Sequence, residues 1–204
     1  MQTQFNRRTA TKVKNGRVQK KNRHTFSGHI ACTIDRVSPG RGFRHVMTKR
    51  DILDFIAIIP NWESVGQRLE GIILDSPADH DACHMFFHRE ENGIIYLHAW
   101  NEDLWVQWSR WYFDAHEDIF LRIGVSHDVL KDDVVCRFTE AQARAFMLLH
   151  VFMHELGHHW DRITQKHHGK GRGEDFAERF ANRHLDLMYP DYVRVFGDPA
   201  RSGL

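Results

Sequence analysis

The chain reads as an α+β protein, a small antiparallel sheet packed on a helix that carries the reactive residues, with a second, antiparallel helix completing the site. Three observations predict it. Cys83–His88 and Ile94–His98 flank Glu91-Asn92-Gly93, and Asn-Gly between apolar runs is a strong hairpin signal. Behind Thr139 and Gln142, which have the spacing of a capping box, apolar residues recur with a helical period as far as Trp160. A third run from Glu174 to about Met188 is again amphipathic, and Pro190 lies just past it.

In chain order, residues 1–29 come first and stand apart. They hold eight basic side chains and no acidic one, so of 28 Lys+Arg in 204 residues only 20 remain in the body, against 27 Asp+Glu. A stretch this polar buries too little apolar area to offset the entropy of ordering and is expected to form a flexible basic arm. Residues 30–204 then form the domain, which at 42% hydrophobic content has enough for a core. Cys32, Cys83 and Cys136 are widely spaced, which suggests reduced thiols and not a metal ribbon or disulfide framework.

Ser38-Pro39-Gly40 marks a turn, and Thr48 with Asp51 opens a helix through Ile52, Leu53, Phe55, Ile56 and Ile59 that Pro60 ends. Gly71-Ile72-Ile73-Leu74 reads as a strand. Asn101 is expected to cap a helix through Leu104, Trp105, Trp108, Trp111 and Tyr112, whose spacing suggests core positions. Asp114–Ile123 reads as a further helix closed by Gly124, followed by a short strand from Val134 to Phe138. The long helix from Thr139 presents Ala141, Ala145, Leu148, Leu149, Phe152, Leu156 and Trp160 as its packing stripe. A loop with Gly169, Gly171 and Gly173 leads to the last helix, which must return antiparallel past the first.

The chemistry is concentrated in His154-Glu155-Leu156-Gly157-His158, an H-E-x-x-H pattern. Residues four apart share a helix face, so His154 and His158 can offer two imidazoles to one ion, with Glu155 beside them as general base. Zinc in catalytic sites takes three protein ligands plus water, and the returning helix offers Glu174, Asp175, Glu178 and His184 for the third. Glu174 and Glu178 share a face, so one is expected to ligate and the other to orient a ligating histidine; either order is open on spacing alone. Asp161 returns to the same side as His154 and is expected to accept a hydrogen bond from a ligating histidine. His150, one turn earlier, either supports a ligand or lies exposed, whereas His159, His167 and His168 are expected in solvent. Gly157 fits a position where a neighbouring helix demands a small residue. His80, His84 and His88 recur every four residues, but the hairpin places His84 and His88 on a strand, so they are not read as ligands.

His154-Glu-Leu-Gly-His158 followed by Glu174-Asp-Phe-Ala-Glu178-Arg-Phe-Ala resembles the gluzincin pattern of H-E-x-x-H and then E-x-x-x-D, as in Ste24-type and ImmA/IrrE-type zinc metallopeptidases. The ending Leu187-Met188-Tyr189-Pro190 is similar to the close of the same helix in ImmA/IrrE proteins. The resemblance covers about residues 139–190, with Glu178 where the family has Asp or Asn. It implies a zincin-like fold, Glu174 as third ligand and Glu178 as its partner on the ligating histidine.

The expected function is therefore a zinc-dependent peptidase with one zinc per chain, hydrolysing peptide bonds with a metal-activated water and Glu155 as general base. The alternative is a regulatory or nucleic-acid-associated protein that keeps zinc as a structural element. Peptide or protein substrates are the expected partners, with a weak nucleic-acid contact through residues 1–29. No apolar run approaches the roughly 18 residues that span a bilayer, and no secretory signal precedes the domain, so a cytoplasmic location is expected.

Overall fold

The computed structural model describes residues 32–77, 92–165 and 172–202 in full and the backbone of 13–14, 17–18 and 83–88. The chain divides into two compact units, Met1–Ala31 and Cys32–Leu204. The described part of the first is one antiparallel ladder, β1 (Val13–Lys14) with β2 (Arg17–Val18). The rest of the basic arm lies outside the described residues, as do Cys83's side chain and His80, His167 and His168.

The second unit opens with β3 (Thr33–Arg36) and β4 (Phe43–Arg44), then α1 (Lys49–Ile56). Both arms of the α1 capping box form: Asp51 N–H donates to Thr48 Oγ1 at 3.2 Å and Thr48 N–H to Asp51 Oδ2 at 2.6 Å. Ile52 and Phe55 on its inner face are fully buried, and the Phe55 ring meets Phe152 and Tyr192 edge-on at 5.9 and 6.3 Å. A short α2 (Trp62–Val65) leads to β5 (Leu69–Asp75), then β6 (Cys83–His88), β7 (Asn92–His98) and β8 (Trp100–Asn101).

The main sheet has the order β3-β5-β7-β6, and its character differs from the antiparallel sheet expected. β3 runs parallel to β5 and β5 parallel to β7; only β6 is antiparallel, paired from Cys83 with Leu97 to His88 with Asn92. The reason is visible in β5, buried on both faces from Leu69 to Leu74, as strands of parallel sheets are. The antiparallel pair is there, but Asn92 and Gly93, expected at its turn, belong to β7 opposite His88 and Phe87; the Ile94 strand is interior, and among the described residues the free edge beside it is β6. Both β6 and β7 pack against the helix that carries the histidines.

A second sheet, antiparallel throughout, has the order β10-β11-β9, formed by β9 (Trp105–Ser109), β10 (Ser126–Val129) and β11 (Asp133–Arg137). The helix expected from Asn101 is thus a correction: residues 105–109 are a strand, and burial alternates along it. Trp108 packs inward, 5.0 Å from Phe120, while Trp105 and Trp111 are 52% and 77% exposed, which a packing stripe would not allow. Helix formation waits for Ser109, whose hydroxyl accepts from Tyr112 N–H and caps α3 (Arg110–Ala115). The helix expected over 114–123 is interrupted at His116, after which α4 (Glu117–Arg122) runs to Gly124, at φ +74°.

Thr139 and Gln142 form their capping box and start α5 (Glu140–Phe146); a π-helical segment, Met147–Phe152, comes next, then α6 (Met153–Thr164). The last helix, α7 (Glu174–Phe196), corrects another expectation, because Pro190 lies inside it. Met188 and Tyr192 on either side are each 1% exposed, and Tyr189 Oη donates to Arg122 O at 2.9 Å, so packing holds the helix through a residue that removes one hydrogen bond. Gly197, at φ +84°, ends it. Among the described residues no helix is long and apolar enough to cross a membrane.

Candidate metal centre

The helix bearing the motif is held rigidly from behind. Gln142, besides closing the capping box, donates from Nε2 to Gly124 O at 2.7 Å. All six residues of the π-helical segment are buried, and such a segment shifts the helical register of the residues after it, often next to a functional site. It places His150, 4% exposed, on the Phe146 ring with centroids 5.3 Å apart, so His150 is a buried residue and not a solvent-facing one.

Gly157 sets how closely α7 approaches. A Cβ there would lie 2.9 Å from Ala177 Cα and 3.1 Å from Phe180 Cβ, so only a residue without one fits this backbone spacing. Ala177, which meets Gly157, and Ala181, one turn further along α7, are fully buried. The helices cross antiparallel: His158 meets Glu174 while His154 reaches both Glu174 and Glu178.

Three donor atoms converge. His154 Nε2 and His158 Nε2 are 3.1 Å apart, and Glu174 Oε2 lies 3.1 Å from the first and 3.3 Å from the second. Four ligands placed tetrahedrally at zinc's usual bond lengths of about 2.0–2.1 Å are separated by about 3.3 Å, so the three atoms fit that ion. Glu174 is 80% exposed at the rim and the histidine side chains about a fifth exposed, at 19% and 21%, so the set is open to solvent on one side.

Glu178 binds the opposite nitrogen of His154, accepting from Nδ1 at 3.1 Å. That fixes the tautomer with the Nε2 lone pair turned toward Glu174 and His158, as a carboxylate does for a metal-ligating histidine. Burial alone would raise the Glu178 carboxyl, but the contact with His116, the hydrogen bond from His154 and the nearby charges of His150 and His116 overcome it and hold the group well below the usual carboxylate range. Burial likewise disfavours charge on His154, and the bond to Glu178 with the charges of Glu155, Glu178 and Glu174 outweighs it, so its pKa is raised. Glu155 is 7% exposed.

Two expectations need correction. Asp161 does not reach a ligating histidine: its carboxylate accepts from Arg172 N at 2.5 Å, Arg172 Nε at 2.6 Å and Gln165 Nε2 at 2.9 Å. It ties the end of α6 to the residue two before Glu174, and these bonds lower its pKa despite burial. His159, expected in solvent, is fully buried, with Nε2 2.6 Å from Gln67 O, and burial pushes its pKa down to about 4. His184 turns back on its own helix, Nδ1 to Phe180 O at 2.8 Å, and takes no part.

Sequence reasoning missed His116. It sits between α3 and α4 with Nε2 3.5 Å from Glu178 Oε1. No spacing rule connects it to the motif, because a change from strand to helix and a break between two short helices bring it there. Compared with known proteins, the chain matches no family model, no curated protein and no solved structure.

Proposed function

We propose that the chain is a zinc-dependent peptidase in which His154, His158 and Glu174 hold the ion and Glu155 is the general base. The observation that carries this reading is the convergence of two imidazole nitrogens and one carboxylate oxygen at 3.1–3.3 Å. Two nitrogens that close share at most one proton between them, and a divalent cation satisfies all three atoms. The motif's similarity to gluzincin peptidases agrees with it.

Bound there, zinc supplies a Lewis acid that polarises a carbonyl and brings the pKa of water down to about 7. The protein's own part is positional and acid–base. Glu178 keeps His154 in the tautomer that offers Nε2, and Asp161 fixes the approach of α7 that delivers Glu174. Glu155 takes the proton of the attacking water and passes it to the leaving amine, so that one water is added across the peptide C–N bond. An extended substrate is expected to reach the set from the exposed Glu174 side, and the β6 edge, free among the described residues and in contact with α6, offers backbone groups for strand addition.

The reading is tested by removing the metal. The zinc-loaded chain, mixed with a library of unstructured peptides and followed by mass spectrometry, is expected to cleave them, to stop after dialysis against a chelator, and to recover with added zinc. Cleavage that survives chelation would contradict the proposal.

A further inference from the structure

On the Nδ1 side of His154 a second group of donors converges: one ring nitrogen each of His116 and His150 and one carboxylate oxygen of Glu178 lie within 4.8 Å of one another. Each comes from a different part of the fold, His116 from the α3–α4 junction, His150 from the π-helical segment and Glu178 from α7. The two imidazoles are fixed by packing. The His116 ring stacks on Tyr112 at 4.1 Å, the His150 ring on Phe146 at 5.3 Å, and the two meet edge to face at 4.7 Å.

The protonation chemistry of His116 is constrained by its neighbours. Its Nδ1 lies 2.7 Å from Tyr112 O, a carbonyl that can only accept, so Nδ1 carries a hydrogen. In the neutral ring Nε2 is then a bare lone pair, yet it faces Glu178 Oε1, also an acceptor, at 3.5 Å. A positive charge between the two acceptors satisfies both. A metal ion accounts also for His150 Nε2, which points to the same carboxylate from 4.0 Å. The pattern of a ring donating one N–H to a backbone carbonyl while the other nitrogen faces a cluster of donors is the usual arrangement of a ligating histidine.

We propose that His116 Nε2, His150 Nε2 and Glu178 Oε1 hold a second divalent cation of the zinc class, separate from the His154–His158–Glu174 centre. Two imidazoles and one carboxylate favour zinc, or another late divalent transition metal, over magnesium or calcium. His116 Nε2 stands 3.5 Å from Oε1 and His150 Nε2 4.0 Å from Oε2, with the set inside 4.8 Å, so rotation of the Glu178 and His150 side chains must draw it in toward the roughly 3.3 Å of a zinc tetrahedron's edge. Glu178 Oε2 keeps its bond to His154, so the two sites share no ligand atom and are linked through one carboxylate. The second ion is structural: it pins the α3–α4 junction and the π-helical segment to α7.

The site is tested by metal stoichiometry on the full chain after equilibrium dialysis against zinc, measured by elemental analysis for the parent, His116→Gln and His158→Ala. The proposal predicts two equivalents in the parent and one in each variant. One equivalent in the parent, kept by His116→Gln and lost by His158→Ala, would overturn it and leave His116 as an ion-pair partner of Glu178. Two equivalents retained by His116→Gln would also overturn it. Metal lost by His116→Gln but unaffected by His158→Ala would support the second site and sink the peptidase centre instead, so the two proposals fail separately. Circular dichroism establishes that each variant folds, and His150→Gln, which removes a different donor, replaces His116→Gln if that variant does not.

Discussion

A methyl group at position 157 would lie 2.9 Å from Ala177 Cα, so Gly157→Ala must push α6 and α7 apart where His158 meets Glu174. Overpacking of this kind costs about 1–3 kcal/mol, more than the ~1 kcal/mol that Ala gains over Gly in a helix. The variant is expected to unfold at lower urea concentration and to hold zinc at least about tenfold more weakly, as misplacing a ligand's support does. An unchanged affinity would show that the crossing is not what positions Glu174. Asp161 gives a second prediction with a definite pH dependence. Its carboxyl pKa is lowered on folding, so the stability it contributes is present above its ordinary value of 3.8 and is lost as the pH falls through the folded value below that. Asp161→Asn is expected to cost about 1–3 kcal/mol at neutral pH by leaving Arg172 without its partner, and the gap from the parent should close in acid. At this scale the sequence was informative about identity and poor about direction. Helical spacing puts His154 and His158 on one face of α6 and Glu174 and Glu178 on one face of α7, and the crossing of the two helices brings the pairs together. Asp161 obeys the same spacing, but Arg172 competes for it across a loop, and no periodicity reveals a competitor.

Among the elements, those with chemical end signals were legible. The two capping boxes start α1 and α5 where Thr48 and Thr139 place them, because a side chain that satisfies orphan N–H groups acts within four residues. Thr139→Ala should therefore destabilise the fold by about 0.5–2 kcal/mol in urea titration, with zinc stoichiometry unchanged, since the cap lies well before the histidines on the same run of helix. Elements decided by long-range packing were not legible. Trp105, Trp108, Trp111 and Tyr112 fit a helical period, yet residues 105–109 pair with β11 and form a strand, the ladder overriding the local pattern. Pro190 carries the strongest stop signal in the chain and is overruled by Met188, Tyr189 and Tyr192, buried or hydrogen-bonded around it. Tyr189→Phe, which removes the bond to Arg122 O, is expected to cost about 1 kcal/mol and to loosen the end of α7 in hydrogen exchange.

For the whole molecule, the mixture of helix and small sheets followed from the alternation of element types, whereas strand direction did not. A hairpin announces itself through its turn; the parallel pairing of β3, β5 and β7 is made by residues far apart in sequence and shows only as the two-sided burial of β5. The same limit applies to the site: the half contributed by α6 and α7 was readable, and the part contributed by His116 was not. The central claim is that these pieces form a hydrolytic centre with Glu155 as its base. The most direct measurement is peptide cleavage and zinc content of Glu155→Gln beside the parent. The account predicts equal zinc and a fall in cleavage of about a thousandfold or more, on the scale of losing a general base and its place in the reaction. A Glu155→Gln protein that holds the same zinc and cleaves as fast as the parent would contradict it.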